Sequence, residues 1–574
     1  MTKEEALKKG SVSEKEINFL NERLDLALMK SDEKAYDTIL FADDPEMETL
    51  GSFLSDSERR LHMHLMGKSG SGKSRLIESM VRQDIQRGIG LCLIDPHAEL
   101  YFNVLRFIIK KCPKDIWDKV YLINPTAKEY LISFNPLHFK RGNPSTFAKK
   151  LIISIEKAWN EDFNNRPGIR ECLYNTFKTS AIVGLSFQET EKLLYDEQTR
   201  INLVNRFDDY DSNPLKNSKL ETFWKETINN PKHWKTILSA ALNRFSILTE
   251  SEPIAMMTLQ GESIDLKEVV DSDSIILVNL SESPFFDSDS ARTLGLTLIN
   301  DILSTFLERS SATELSGDSK YNLQWNPFYL YIDEFHNYYT PDIKEILTGT
   351  RKFGLHLIMA NQNFSQLDDV DSSARKSILN SAQIKAYFPT GDIDDSQDIM
   401  KQMGFYEPKI KESIKKYQEL TAGYETYTST SYTEGESYNA RKSENQRAVK
   451  TVVEYDDNKY YTLEEVYLME GKEFQLLPKR VFLFQSPEQP KGIFLKTDWV
   501  FNIDCSLKEI LEFRKYVAEK HSSIYEKVSI LKEKLKRSLY PKPTKNKKDP
   551  IIKKTKNKKQ EEIVNTVNDD NPFA

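Results

Sequence analysis

"HMHLMGKSGSGKSRL", residues 62–76, runs from an apolar stretch through three glycines into Lys73 and Ser74. A helical pattern follows, with Leu76, Ile77, Met80, Val81 and Ile85 on one side. Gly67-x4-Gly72-Lys73-Ser74 has the spacing of a phosphate-binding loop. Its glycines let the backbone curl so that successive N–H groups converge on phosphate oxygens. The following helix points its positive end at the same place. Gly67, Lys68, Ser69, Gly70, Ser71, Gly72, Lys73, Ser74 and Arg75 therefore form a candidate nucleotide-binding loop. Lys73 is expected to reach the β- and γ-phosphates of ATP, and the Ser74 hydroxyl to bind Mg2+.

Outward from this loop the texture is regular. "GIGLCLIDP", "KVYLINP", "SIILVNL", "FYLYIDE", "GLHLIMAN" and "IKAYFPT" are short runs, apolar on both faces, that alternate with helical segments. That pattern predicts an α/β fold with a mainly parallel sheet covered by helices on both sides. Between 141 and 265 the strand signal vanishes, and Trp-, Phe- and Leu-rich helical text predicts an inserted all-helical domain. The insertion divides the nucleotide-binding domain into 56–140 and 266–405. Residues 1–55 read as a charged helical segment, and 406–505 as a part with returning strands and a long polar loop at 423–458. Residues 506–540 read as one helix whose apolar spacing suits either a short coiled coil or packing on its own domain. The Lys-rich, finally acidic tail 541–574 reads as disordered. Its end, "NDDNPFA", looks like the acidic tips with which single-strand-binding proteins recruit partners, or is a solubilising tail.

A second acidic strand supplies chemistry. "NPFYLYIDEFHNY" delivers Asp333 and Glu334 to the end of an apolar run, the edge where the phosphate loop also lies. Asp333 is expected to hold Mg2+ through water, and Glu334 to polarise the attacking water. The next apolar run, "GTRKFGLHLIMANQNFSQL", ends in Asn361-Gln362. Gln362 is the candidate γ-phosphate sensor. Arg351, before the strand, is the candidate arginine finger for a neighbour's site. The basic pairs Arg351-Lys352 and Arg375-Lys376 are candidate DNA contacts, Arg375-Lys376 reading more readily as a solvated helix face.

Composition bounds the rest. The chain has 574 residues, 39% of them hydrophobic and 29% charged, enough for large cores in a water-soluble protein. No window holds the ~18 consecutive apolar residues of a membrane span, and the first residues lack a signal-peptide core, so the expected compartment is the cytoplasm. Four scattered cysteines form no CxxC pair, which excludes a zinc knuckle and a disulfide framework. A net charge of −7 excludes whole-surface attraction to nucleic acid and leaves a local basic face or a lined channel. No "LSGGQ"-type stretch of an ABC ATPase is present.

Together these stretches resemble the HerA/FtsK superfamily of ring-shaped DNA pumps, and within it the soluble ATPase part of TraG/TraD-type conjugative (type IV secretion) coupling proteins. The resemblance is carried in order by "HMHLMGKSGSGKS", "GIGLCLIDPHAEL", "ALNRFSILTESEPIAMMTLQGESIDLKEVVDSDSIILVNLSES", "ARTLGLTLINDIL", "YIDEFHNY", "TRKFGLHLIMANQNFSQL" and "ILNSAQIKAYF", over roughly residues 50–405. It implies a RecA-like P-loop NTPase fold, a homohexameric ring with ATP between subunits, and DNA in the channel. It also implies Arg351 as finger and Gln362 as sensor. Ala98 departs from the family's frequent Asp-Pro-His-Gly, and both the HerA β-barrel and the transmembrane helices of coupling proteins are missing before the loop. The implied activity is ATP hydrolysis driving DNA translocation, with a separate membrane or relaxase/nuclease partner. The alternatives are a protein-secretion ATPase of the same superfamily, or a nucleotide-gated oligomeric sensor in a defence system.

Overall fold

The computed structural model describes residues 38–43 and 51–539, apart from 136, 138–142, 159–160, 186, 209–217, 260–261, 316–324, 340–342, 344–352, 372, 404–408, 434–438 and 498–499. In chain order the strands are β1 (Thr38–Asp43), β2 (Gly51–Ser55), β3 (Met63–Met66), β4 (Gly90–Asp95), β5 (Val120–Ile123), β6 (Tyr130–Ile132), β7 (Ile275–Asn279), β8 (Phe328–Ile332), β9 (Leu355–Asn361), β10 (Ile384–Tyr387), β11 (Ile410–Thr433), β12 (Asn439–Tyr460), β13 (Val481–Gln485), β14 (Ile493–Thr497) and β15 (Tyr525–Lys527).

One sheet of 11 strands, ordered β2-β1-β14-β13-β10-β3-β9-β8-β4-β7-β5, forms the frame. From β10 to β5 every neighbouring pair is parallel. β13, β14, β1 and β2 extend it by antiparallel pairing. The central strands β3, β4, β7, β8 and β9 are buried along their whole length. This explains their continuous apolar text: a strand covered on both faces has no polar side to alternate with. The strand order, with the phosphate loop after β3 and the acidic pair after β8, is that of a RecA-like P-loop NTPase.

Helices from Pro144–Ala158 to Glu252–Thr258 interrupt the sheet between β6 and β7. Those up to Pro231–Glu250 close around a core of their own that includes Leu151, Ile155, Phe177, Trp224 and Phe245, whereas Ile254, Met256 and Met257 of Glu252–Thr258 belong to the main core. The buried Trp224 indole N–H donates to Thr179 Oγ1 at 2.9 Å, so its polar end is satisfied. The insertion is fastened to the long helix Ser288–Leu315 by Asn300 Nδ2–H on Ser154 Oγ (2.6 Å) and Lys150 Nζ on Ser304 Oγ (3.0 Å).

Three expectations are corrected. Within 1–55 the described residues 38–43 and 51–55 are strands β1 and β2 rather than helix, because they complete the antiparallel edge beside β14; residues 1–37 and 44–50 lie outside the described residues. The polar stretch 423–458 is no loop. It belongs to the two-stranded antiparallel ribbon β11–β12, paired from Ile410↔Tyr460 to Thr433↔Asn439. Residues 506–540 are two helices, Leu507–Lys520 and Val528–Leu539, separated by β15, which pairs with β6. Their apolar residues Ile510, Phe513, Val517, Val528 and Leu531 lie in the main core, so they pack on their own domain. The tail beyond residue 539 lies outside the described residues. Among the described residues no helix is long and apolar enough to cross a membrane.

Candidate nucleotide site

The phosphate loop leaves β3 at Met66 and enters the helix Lys73–Gln86 at Gly72. Two close approaches explain its glycines. A Cβ on Gly67 would lie 2.5 Å from Phe388 Cβ, and one on Gly72 would lie 3.1 Å from Arg480 Cα. Gly72 also has φ +122°, which side-chain-bearing residues avoid. The loop is tied to neighbouring strands: Gly67 N–H donates to Asn361 O (3.2 Å), and Lys68 N–H to Pro389 O (3.1 Å). Lys68, Ser69 and Gly70 are exposed at its mouth, as is Ser74.

No side chain caps the helix Lys73–Gln86. Arg75 and Leu76 N–H close on Gly72 O at 3.1 Å, which leaves the N–H groups of Lys73 and Ser74 and the helix dipole facing the loop, the arrangement that suits an anion. Ser71 Oγ is buried and has no hydrogen-bond partner among the described residues, a further donor for a phosphate oxygen. Arg75 turns away, its guanidinium on the buried Glu78 at 2.8 Å.

Lys73, Asp333 and Glu334 meet here, each almost fully buried. Lys73 Nζ lies 3.4 Å from Asp333 Oδ1 and 3.6 Å from Glu334 Oε1. Gln362 Nε2 donates to the same Glu334 Oε1 at 2.8 Å. Glu334 has a left-handed backbone, φ +49°, which turns its carboxylate back toward Lys73 and the end of β9. Burial pushes the Glu334 carboxyl up. The His97 imidazole, the Lys73 ammonium and the Gln362 amide outweigh it and hold the group at about 2. His97 is raised in turn, first by its contact with Glu334. Ser74 and Asp333 offer hard oxygen donors of the kind Mg2+ takes. With the orphaned Ser71 hydroxyl and uncapped helix, the residues present fit a Mg2+–triphosphate.

Four site neighbours lay outside the sequence reading. His97 Nε2 and His336 Nδ1 flank Glu334 at 3.9 and 3.4 Å. His64, fully buried on β3, has Nε2 2.6 Å from Asn361 Oδ1 and Nδ1 3.1 Å from Tyr387 Oη. Arg480, φ +77°, donates its backbone N–H to Ser71 O at 2.8 Å and accepts Thr497 N–H at 2.8 Å. His64, His97 and His336 lie inside the quoted stretches, but no role was read for them; Arg480 lies in none, and only the fold brings it to the loop. Ala98, where a glycine is frequent, has φ +65°. A left-handed turn is why glycine suits that place.

Arg351 and Lys352 lie outside the described residues. Arg375 is engaged with Asp398 (2.6 Å) and Asp368 (3.4 Å) and lies 3.9 Å over the Phe364 ring, so it is not a free phosphate contact.

The family model described as "TraM recognition site of TraD and TraG" matches residues 327–478. Those residues carry the TraG/TraD signature. The matched segment contains Asp333, Glu334, Gln362 and the β11–β12 ribbon, and it ends two residues before Arg480. Among solved structures, the chain is similar to the bacterial conjugative coupling protein TrwBdeltaN70, at 14% identity over 79% of this chain and 89% of that one, TM-score 0.49. It is similar to the plasmid coupling protein TrwB in complex with ADP and Mg2+, at 14% identity over 78% and 88%, TM-score 0.47. VirB4 of Thermoanaerobacter pseudethanolicus is similar at 14% identity over 80% and 96%, TM-score 0.46. No curated protein sequence matches.

Proposed function

We propose that this TraG/TraD-type chain is an ATP-driven DNA translocase of the conjugative coupling class, working as a homohexameric ring. The observation that carries the reading is the meeting of Lys73, Asp333, Glu334 and Gln362 at one edge of the sheet, beside an uncapped helix end. DNA as cargo is supported by the family match over residues 327–478 and by the order of motifs along the chain.

The loop N–H groups and Lys73 hold the triphosphate. Ser74 and Asp333 would hold Mg2+, which supplies charge neutralisation at the β- and γ-phosphates when bound. When Lys73 turns to the phosphates, it withdraws from Glu334. The carboxylate then loses a cation that keeps its pKa near 2, and becomes a better acceptor for a proton of the attacking water. The water oxygen bonds to the γ-phosphorus, the bond to the β-γ bridging oxygen breaks, and ADP and phosphate leave. Gln362, hydrogen-bonded to Glu334, exchanges that partner for the γ-phosphate and so registers its presence. Arg351 of a neighbouring copy stabilises the developing charge.

Steady-state ATP hydrolysis with and without single- and double-stranded DNA tests this reading. Turnover stimulated by one form of DNA and lost in Glu334→Gln supports it. Robust turnover indifferent to DNA removes DNA as the cargo.

A further inference from the structure

Between the nucleotide site and the β11–β12 ribbon lies a hydrophobic cluster separate from the main core. It contains Met66, Phe364, Tyr387, Ile399, Met400, Met403, Phe474 and Leu483. Its members join parts far apart in sequence. Met66 precedes Gly67 of the phosphate loop, and Phe364 follows Gln362 by two residues. Ile399 and Met400 belong to the helix Ile393–Gln402, which comes before β11. Phe474 belongs to the helix Leu463–Gln475, which comes after β12. Both legs of the ribbon are therefore rooted in the packing that surrounds the sensor turn.

Polar contacts fix the same joint. Asp395, 6% exposed, accepts the backbone N–H of Phe364 on Oδ2 at 3.0 Å. Arg375 stacks on the Phe364 ring at 3.9 Å and pairs with Asp398, one turn along Asp395's helix, at 2.6 Å. At the root, Lys409 Nζ lies 2.7 Å from Glu470 Oε1, and Tyr461 N–H donates to Lys409 O at 3.0 Å. The two root helices approach closely at Gly471, where a Cβ would come 3.2 Å from Gln397 N. Beyond the root most described residues of the ribbon are exposed, with Tyr424 at 69% and Tyr427 at 50%.

We infer that Asp395 is a positioning residue for Gln362, and that its helix and the Phe364 cluster make the β11–β12 ribbon the arm that follows the state of the nucleotide site. The inference rests on the reading of Gln362 as the γ-phosphate sensor. Gln362 opens the turn that carries Phe364, its backbone N–H held by Gln366 Oε1 at 2.8 Å, so a phosphate that draws its amide from Glu334 pulls on that turn. Phe364 in that turn is held at its amide by Asp395 and at its ring by Arg375. A close-packed joint passes such a shift on rather than absorbing it. The displaced parts are the two helices that carry the ribbon, so a small movement at their ends becomes a larger one at its tip.

The test is hydrogen exchange of the full chain, read at the helix Leu463–Gln475, with Mg2+ and either ADP or a non-hydrolysable ATP analogue. In the wild type the exchange of this helix differs between the two nucleotides. Asp395→Ala erases the difference and lowers kcat by about fivefold or more, the lower end of ordinary coupling between sites, while KM and nucleotide affinity stay unchanged. Asp395→Asn keeps an acceptor for the Phe364 amide and retains the difference, which separates loss of positioning from loss of folding. A nucleotide-dependent difference that persists in Asp395→Ala overturns the inference, as does a wild-type helix indifferent to nucleotide while the phosphate loop responds. Gln362→Ala separates the two readings. Unchanged turnover in that variant overturns the sensor assignment itself. Lost turnover there, with Asp395→Ala behaving as wild type, overturns only the link to the ribbon.

Discussion

Glu334 is surrounded by one cation, one amide and two imidazoles, and each bears on what it does. Replacing it with Gln keeps the shape and the Gln362 contact but removes the proton acceptor. Glu334→Gln is expected to lower kcat by about 10²- to 10⁴-fold with nucleotide affinity retained, as single-turnover hydrolysis and fluorescent-nucleotide binding will read. His64 gives a second prediction. Burial lowers its pKa to about 4, against which the Asn361 contact works only partly. The unfolded chain binds this proton near pH ~6.5, so the stability His64 contributes is present above that pH and is lost as pH falls toward 4. Urea midpoints at pH 7 and 4.5 are expected to fall less in His64→Gln than in the wild type. At Ala98 the left-handed φ of +65° costs a side chain, so Ala98→Gly is expected to raise stability by up to about 1 kcal/mol in the same titrations. At this scale the sequence was readable where a function concentrates in a short motif, as in 67–74 and 333–334. It was silent where a contact joins distant positions: His64 and Asn361 are 297 residues apart, and Arg480 meets Ser71 through a backbone hydrogen bond.

At the level of elements, the buried parallel strands announced themselves because burial on both faces leaves uninterrupted apolar runs. The β11–β12 ribbon did not. Its described middle is exposed and pairs polar with polar, as in Thr426↔Gln446 and Tyr427↔Asn445, so the alternation that marks a half-buried strand is missing. The helix expected over 506–540 was broken by β15, whose short run Tyr525–Lys527 is a strand only because β6 lies beside it. The ribbon's root gives a prediction of its own. Phe474, 1% exposed, fills the cluster around Phe364. Phe474→Ala is expected to cost about 3–5 kcal/mol, measured by denaturant unfolding. Truncating the ribbon between 424 and 447 is expected to leave the unfolding midpoint unchanged, since among the described residues β11 and β12 pair only with each other.

Over the whole molecule, the parallel sheet gathers the loop after β3, the acidic pair after β8 and the glutamine after β9 at one edge, although they span about 300 residues of sequence. The alternation of apolar runs and helices foretold the parallel class of this sheet, while its order β10-β3-β9-β8-β4-β7-β5 is set by the fold. The antiparallel edge of β13, β14, β1 and β2 was less legible, because β1 finds its partner β14 at the far end of the chain and β2 then pairs on β1. With a net charge of −7, the proposed DNA cargo would be held through a few local contacts. DNA-stimulated turnover is therefore expected to fall steeply with salt, with a log–log slope of roughly −0.7 to −0.9 per phosphate contacted. The central claim is that hydrolysis at Glu334 moves the chain along DNA. Displacement of a bound third strand or streptavidin block from DNA, driven by ATP, measures it most directly. Displacement by the wild type in ATP, with none in the non-hydrolysable analogue and none by Glu334→Gln, is the predicted result. Blocks left in place by a wild-type chain that hydrolyses ATP at full rate on the same DNA would contradict it.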